Sequence, residues 1–272
     1  MNDIVENIRD LRYLKWTRTR NSSGTAGSFL KAYEDSGDRK IYYKLSDYDV
    51  VRGIVGHECV NEIVAQRVLD ILGISHLEYT LVHALVRIDD REHITYLCSS
   101  HDFKQFGESK IPLEDYYGME HITGETPLDF CKRMHWEEYI YSMTVIDFLI
   151  ANRDRHGANI EVLFDRKRKK IRPAPLFDHG LSFACRCHDI NELKEFDVMK
   201  DMKIQSFIGA NSAFDNLSIV PAEYLRSLPK MGEEEIKYAT EGLENAIRRE
   251  FIDKIRLMLK RRWKYLDDLR NT

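Results

Sequence analysis

The chain has 272 residues, 43% hydrophobic and 32% charged, enough for one large domain or two lobes around a sizeable core. Lysines and arginines number 41 against 45 acids, and this net charge of -4 excludes a general affinity for nucleic acid or an anionic membrane. Five cysteines (Cys59, Cys98, Cys131, Cys185, Cys187) fit no disulfide framework, the first ten residues form no apolar leader, and the apolar run 143–151 is interrupted by Asp147. A cytoplasmic protein without a membrane span is therefore expected.

Residues 12–20 form a β-like run that ends in the turn-forming cluster Asn21-Ser22-Ser23-Gly24-Thr25-Ala26-Gly27, and residues 28–33 read as the returning strand of a hairpin with a small-residue tip. A third strand over 40–46 puts Tyr42 and Lys44 on one face. Apolar residues at Val60, Ile63, Val64, Val68, Ile71 and Leu72 have helical spacing, Gly73 is placed to end that helix, and Glu58 and Glu62 lie on it one turn apart. Strands over 80–88 and 93–98, joined through Asp89-Asp90-Arg91, complete a sheet of about five strands. The remainder is mainly helical. A strong amphipathic helix over 136–151 runs into the polar loop 152–159, strands 160–164 and 171–177 flank the basic turn 166–170, and a long helix from about Gly232 has a break at Gly242. The expected class is α+β: a small antiparallel-sheet lobe over 1–100 with one helix, then a helical lobe over 101–272.

Phosphoryl transfer needs a cradle for phosphates, a cation on their oxygens, metal ligands, and a carboxylate to orient the attacking hydroxyl. In Asn152-Arg153-Asp154-Arg155-His156-Gly157-Ala158-Asn159 a carboxylate is followed five residues later by a carboxamide within one loop. Further on, Pro175-Leu176-Phe177-Asp178-His179-Gly180 offers a second carboxylate at a strand end. Across a short hairpin these segments can face one another. Asp154 then orients the acceptor hydroxyl, His156 sits beside the moving phosphate, and Asn159 with Asp178 supplies hard oxygen ligands for magnesium.

The run from Asp147 to Asn159, together with Ala174-Pro175-Leu176-Phe177-Asp178-His179-Gly180-Leu181-Ser182, resembles the catalytic and metal-binding segments of HipA-like kinases. Its Asp-Arg-His-x-x-Asn core is also similar to that of phosphoinositide kinases. The tip Ser23, Gly24, Thr25, Ala26, Gly27, Ser28 resembles the HipA-type phosphate-binding loop, and Asn61-Glu62 matches the acidic partner of the strand lysine. The resemblance covers most of residues 20–185. It implies a two-lobed protein-kinase-like fold, ATP and Mg2+ as cofactors, and a serine or threonine hydroxyl of a protein as acceptor. It further implies Lys44 as the cation on the α and β phosphates, Glu62 as its ion-pair partner, Asp154 as the catalytic aspartate, and Asn159 and Asp178 as metal ligands. Adenine is expected between the lobes near Leu97, Cys98 and Ser99. An antitoxin or DNA-binding partner protein is a further implication, with no counterpart expected here of the amino-terminal extension of many HipA toxins and no motif matched over residues 186–272.

Blander readings compete. Asp154, His156 and Asn159 suit a helix-terminating loop, Lys44 a strand-edge lysine, and Glu58 lies on the same helical face as Glu62. His179, Cys185, Cys187 and His188 lack zinc-site spacing, and the basic stretch 254–264 is interleaved with apolar residues as in an amphipathic helix. Two rival functions remain at this stage: a small-molecule or lipid-headgroup kinase, and a catalytically silent regulatory subunit.

Overall fold

The computed structural model describes residues 3–17, 29–35 and 40–271. Its first strand, β1 (Ile4–Asp10), lies where the sequence reading places no element, and it pairs parallel with a later strand. Residues 12–17 of the strand expected over 12–20 form no ladder, and residues 18–20 lie outside the described residues. Among its described residues a single bridge joins Thr17 to Lys31, while Leu11 and Leu14 turn into the core. After β1 come β2 (Lys31–Asp35), β3 (Lys40–Leu45) and a small hairpin of β4 (Tyr48–Asp49) with β5 (Gly53–Ile54), which leads into α1 (Glu58–Leu72).

Residues β6 (Tyr79–Ile88) and β7 (Arg91–His101) finish the main sheet, whose order is β1-β6-β7-β3-β2. All its contacts are antiparallel except β1 with β6. One face covers a cluster around Leu45, Ala84, Val86 and Leu97. From the other face, Leu81 and Cys98 join the large core shared with the helices.

Every residue of α1 except Asp70 and Ile71 is buried. It packs against β6 and β7 and also against helices from the rest of the chain. Burying side chains such as Ile63, Val64, Val68 and Leu69 stabilises by about 1.5–3 kcal/mol each. Gly73, at φ 68, ends the helix in the left-handed conformation that glycine adopts without a Cβ clash. So enclosed a helix fixes the position of whatever side chains it points toward the sheet.

Beyond β7 the chain forms β8 (Glu108–Pro112), α2 (Leu113–Glu120), α3 (Pro127–Arg133) and α4 (Glu137–Ile150). Then come the two-residue β9 (Asp154–Arg155), β10 (Glu161–Asp165) and β11 (Lys170–Pro173), with β10 between β11 and β8 in a small sheet. α5 (Ile190–Glu195), β12 (Gln205–Ser206), α6 (Ala213–Asn216) and α7 (Ala222–Ser227) follow. The expected terminal helix is two: α8 (Glu233–Ala239) and α9 (Arg249–Arg270), separated at Gly242, φ 74. On α9 the apolar stripe Ile255, Met258, Leu259 and Leu266 is buried in the main core.

Candidate active site

On β3, Lys44 points toward α1, where its Nζ lies 3.0 Å from Glu62 Oε1; it also lies 2.6 Å from Asp178 Oδ1. The second carboxylate oxygen of the fully buried Glu62 accepts the amide N–H of His179 at 2.8 Å. Glu58, one turn earlier, turns aside and accepts the amide of Asp47 at 3.0 Å. Of the two glutamates that share a helical face, the lysine thus meets Glu62.

Asp178 has a φ of 57, a strained conformation for a residue with a side chain, and it is held there by its contact with Lys44 and by donating its N–H to Tyr79 Oη at 3.2 Å. Two residues on, Gly180 lies flat on the ion cluster: a Cβ there would be 3.1 Å from Glu58 Cβ, 3.2 Å from Glu62 Oε1 and 3.3 Å from Lys44 Nζ. Asn61, beside Glu62, donates to the carbonyls of Gly180 and Ser182 at 2.9 and 3.1 Å and pins the same segment to α1.

The loop residues from Asp154 to Asn159 are fixed by an arginine to which the sequence reading assigns no role. Arg155 is buried and binds Asp147 of α4 through Nε and Nη2, both at 2.8 Å, while its Nη1 donates to the carbonyls of Asn159 and Phe177 at 3.1 and 2.9 Å. One guanidinium thereby joins α4, the loop and the residue before Asp178. Asn159 donates its Nδ2 to the carbonyl of Asp154 at 2.9 Å, which leaves its side-chain oxygen as an acceptor. His156 accepts the Ala158 amide on Nδ1 at 3.2 Å, and its Nε2 is 3.5 Å from Asp154 Oδ1.

The two aspartates are in opposite electrostatic states. Burial raises the pKa of Asp154 above the ordinary aspartate value; His156 opposes the rise and the charge of Asp178 adds to it. Burial works against the charge of Asp178 as well, yet Lys44 and Lys31 outweigh it and hold that carboxyl well below the usual range. Lys44 loses stability by burial, and Asp178 with Glu62 nevertheless keeps it firmly protonated.

A cleft of about 200 Å³ opens over Lys44 and Asp178, with Lys31, Tyr42, Leu77, Tyr79, Phe103 and Phe177 among its walls. Of Leu97, Cys98 and Ser99, the residues expected near adenine, Cys98 lines this cleft. All three sit mid-strand, paired with Leu45, Lys44 and Tyr43 on one side and Val82, Leu81 and Thr80 on the other, so their backbone groups are committed to the sheet. The strand extends to His101, and it is His101, Asp102 and Phe103 that emerge at the cleft. Ser23, Gly24, Thr25, Ala26, Gly27 and Ser28 lie outside the described residues.

Among the described residues no three His, Cys, Asp or Glu side chains gather in metal-binding fashion. A divalent ion here would draw on one carboxylate, Asp178, and one amide oxygen, Asn159. That donor set suits magnesium, which takes few protein ligands and completes its shell with phosphate oxygens and water. Cys185 and Cys187 are buried, the thiol of Cys185 being pushed up to about 11 by that burial.

No family model and no curated protein sequence matches the chain. Solved structures do. The Helicobacter pylori proinflammatory kinase CtkA superposes with a TM-score of 0.64 at 15% identity, over 97% of this chain and 96% of that one. HipA of Shewanella oneidensis MR-1, solved as a toxin-antitoxin complex with HipB and operator DNA, gives 0.53 at 13% identity, over 94% of this chain and 67% of that one. With a sheet lobe bearing Lys44 and Glu62 set against a helical lobe bearing Asp154 and Asp178, the chain has the α+β protein-kinase-like fold of the HipA-like kinases.

Proposed function

We propose that the protein is a kinase that transfers the γ-phosphate of ATP, with magnesium, to a hydroxyl group, the acceptor being a serine or threonine of a protein. The observation that carries this is one lysine amine held between Glu62 and Asp178 at the wall of a cleft, with Asp154 tied into the same network through Asn159 and Arg155. Lys44 would neutralise phosphate oxygens in a partly desolvated site where its charge counts for more than in water. Magnesium would add charge neutralisation at the transferring phosphate. Asp154, with His156 beside it, would accept the acceptor's hydroxyl hydrogen bond and align it, and Asn159 and Asp178 would hold the metal. Adenine would lie against Phe103 and Phe177, whose rings stand 5.7 Å apart, with backbone groups of His101 to Phe103 at its edge.

The test is mass spectrometry of the protein and of a cell lysate incubated with ATP and magnesium, for the natural chain and for Asp154→Ala. Phosphorylated serine or threonine that depends on Asp154 is the expected outcome, together with a rise in Tm of both proteins on adding ATP and magnesium. Equal phosphorylation by the variant, or no nucleotide-dependent Tm shift, overturns the assignment. Labelled phosphate appearing on added alcohols or lipid headgroups rather than proteins would move the acceptor to that class. The Shewanella HipA is bound to HipB and DNA, and an antitoxin or DNA-binding partner protein for this chain is proposed on that likeness, to be tested by co-purification.

A further inference from the structure

A cavity of about 630 Å³ shares no residue with the cleft over Lys44 and Asp178. Six consecutive residues of β7, Arg91 to Tyr96, line it, and a strand can present both its faces to one cavity only along its edge. The sheet explains why an edge is open there. β3 stops at Leu45, opposite Leu97, so the first six residues of β7 have β6 on one side and, among the described residues, no strand on the other.

The direction of the backbone groups follows from β6. The Leu81 amide donates to Asp3 and the Leu85 carbonyl accepts from Leu11, so odd-numbered residues of β6 face β1 and Val82 and Ala84 face β7. Their partners Leu97 and Thr95 point back at them, which leaves Ile94 and Tyr96 directing N–H and C=O away from β6, the Tyr96 carbonyl meeting only the Thr95 hydroxyl at 3.4 Å. An unpaired run of this kind is a template for another strand.

The side chains around it select what kind of strand. Val51 and Ile94 are 87% and 62% exposed at the mouth. Arg91 donates to the carbonyl of Val50 and, among the described residues, meets no carboxylate, and Arg52 lies 3.8 Å from Asp49, too far for a tight pair. The acid on the lining, Glu92, is already engaged by Arg12 and Arg87. Gly53, at φ 81, lets the β4–β5 hairpin close against His93, whose ring is 3.5 Å from where a side chain would start, and so forms the far wall.

We propose that the open edge of β7 binds an extended acidic segment of a partner protein as an added strand, its carboxylates meeting Arg52 and Arg91 and its apolar residues packing on Val51 and Ile94. The open run is about 20 Å long at roughly 3.4 Å per residue, enough for five or six residues of partner chain.

The test uses the full chain and a fluorescein-labelled Asp-Val-Thr-Val-Asp peptide in an anisotropy titration. Saturable binding is expected, weakened at least about tenfold when the peptide's acids become lysines and by as much when its backbone amides are N-methylated, since the former removes the charge match and the latter the ladder donors. Ile94→Pro deletes one outward-pointing N–H without touching the bonds to β6 and should weaken binding by about tenfold at unchanged Tm. Should that variant misfold, Arg52→Glu with Arg91→Glu serves instead and should reverse the preference toward the lysine peptide. No saturable binding, or binding indifferent to N-methylation, overturns the proposal. So does concentration-dependent dimerisation in sedimentation that Ile94→Pro abolishes, because the edge would then belong to a second copy of this chain.

Discussion

Two buried charge clusters stand within one network, and they are built on opposite plans. Around Arg155 one guanidinium meets one carboxylate, Asp147, in a two-point contact, and its remaining donors are consumed by backbone carbonyls of Asn159 and Phe177. Around Lys44 one amine faces two carboxylates, Glu62 and Asp178, with Asp154 close enough to be felt by Asp178. The first cluster is balanced and sealed; the second carries surplus negative charge at the wall of an open cleft. A closed, neutral pair suits a structural role, whereas surplus negative charge beside a cavity favours a cation from outside. The comparison separates the group that builds the site from the groups that work in it.

Removing one side of the sealed pair should have the larger effect on stability. Arg155→Met leaves Asp147 buried without its partner and frees two carbonyls, and a loss of about 3–5 kcal/mol is expected, read as a lowered urea midpoint at unchanged m-value. Lys44→Met should cost less, about 1–3 kcal/mol, because Asp178 is part-exposed and Glu62, whose pKa burial already raises, can take up a proton. That variant should instead lose the Tm shift on adding ATP with magnesium. If Lys44→Met proves as destabilising as Arg155→Met, the distinction between the two clusters fails.

The working cluster should also come apart with pH. Asp154 is raised above the ordinary aspartate value and Asp178 is lowered below it, so as pH falls Asp154 takes its proton first. Transfer should therefore decline about tenfold per pH unit below the Asp154 pKa while nucleotide binding, which rests on the still-ionised Asp178, persists. A kcat and KM profile against pH tests this: a KM that rises before kcat falls would reverse the assignment of the two carboxylates.

What the sequence revealed of this arrangement was the chemistry that is local in the chain. Asp154 and Asn159 fall within six residues, Asp178 ends a short segment, and α1 announces itself through its apolar period and Gly73. Long-range pairing was harder to see. Residues 12–17 carry β-favouring side chains but find no ladder, whereas Ile4–Asp10, mostly exposed at a sheet edge, shows too little apolar alternation to be recognised as a strand. The sequence pattern ends β7 at Cys98, where the polar Ser99, Ser100 and His101 follow; pairing with Ile41 to Tyr43 carries the strand on to His101. Arg155 reads in sequence as a surface arginine. Only the fold shows that Asp147, eight residues earlier on the preceding helix, takes it out of water.

The smallest effect belongs to Glu58, the residue that spacing alone could not tell from Glu62. Both are buried, but Glu62 spends its two oxygens on Lys44 and the His179 amide, and Glu58 places Oε2 on the Asp47 amide at the entry to α1. Burial raises the pKa of Glu58, so its charge is already disfavoured and an amide of the same shape can keep the one bond it makes. Glu58→Gln should consequently change stability by no more than about 1 kcal/mol and leave phosphate transfer within about threefold of the natural chain. Glu62→Gln should behave otherwise: Lys44 would be left with Asp178 alone, free to follow that carboxylate away from the phosphates. Assaying the two variants side by side asks whether one helical turn separates a loop anchor from the lysine's partner, and equal losses in both would mean that the lysine is positioned by the acidity of α1 as a whole.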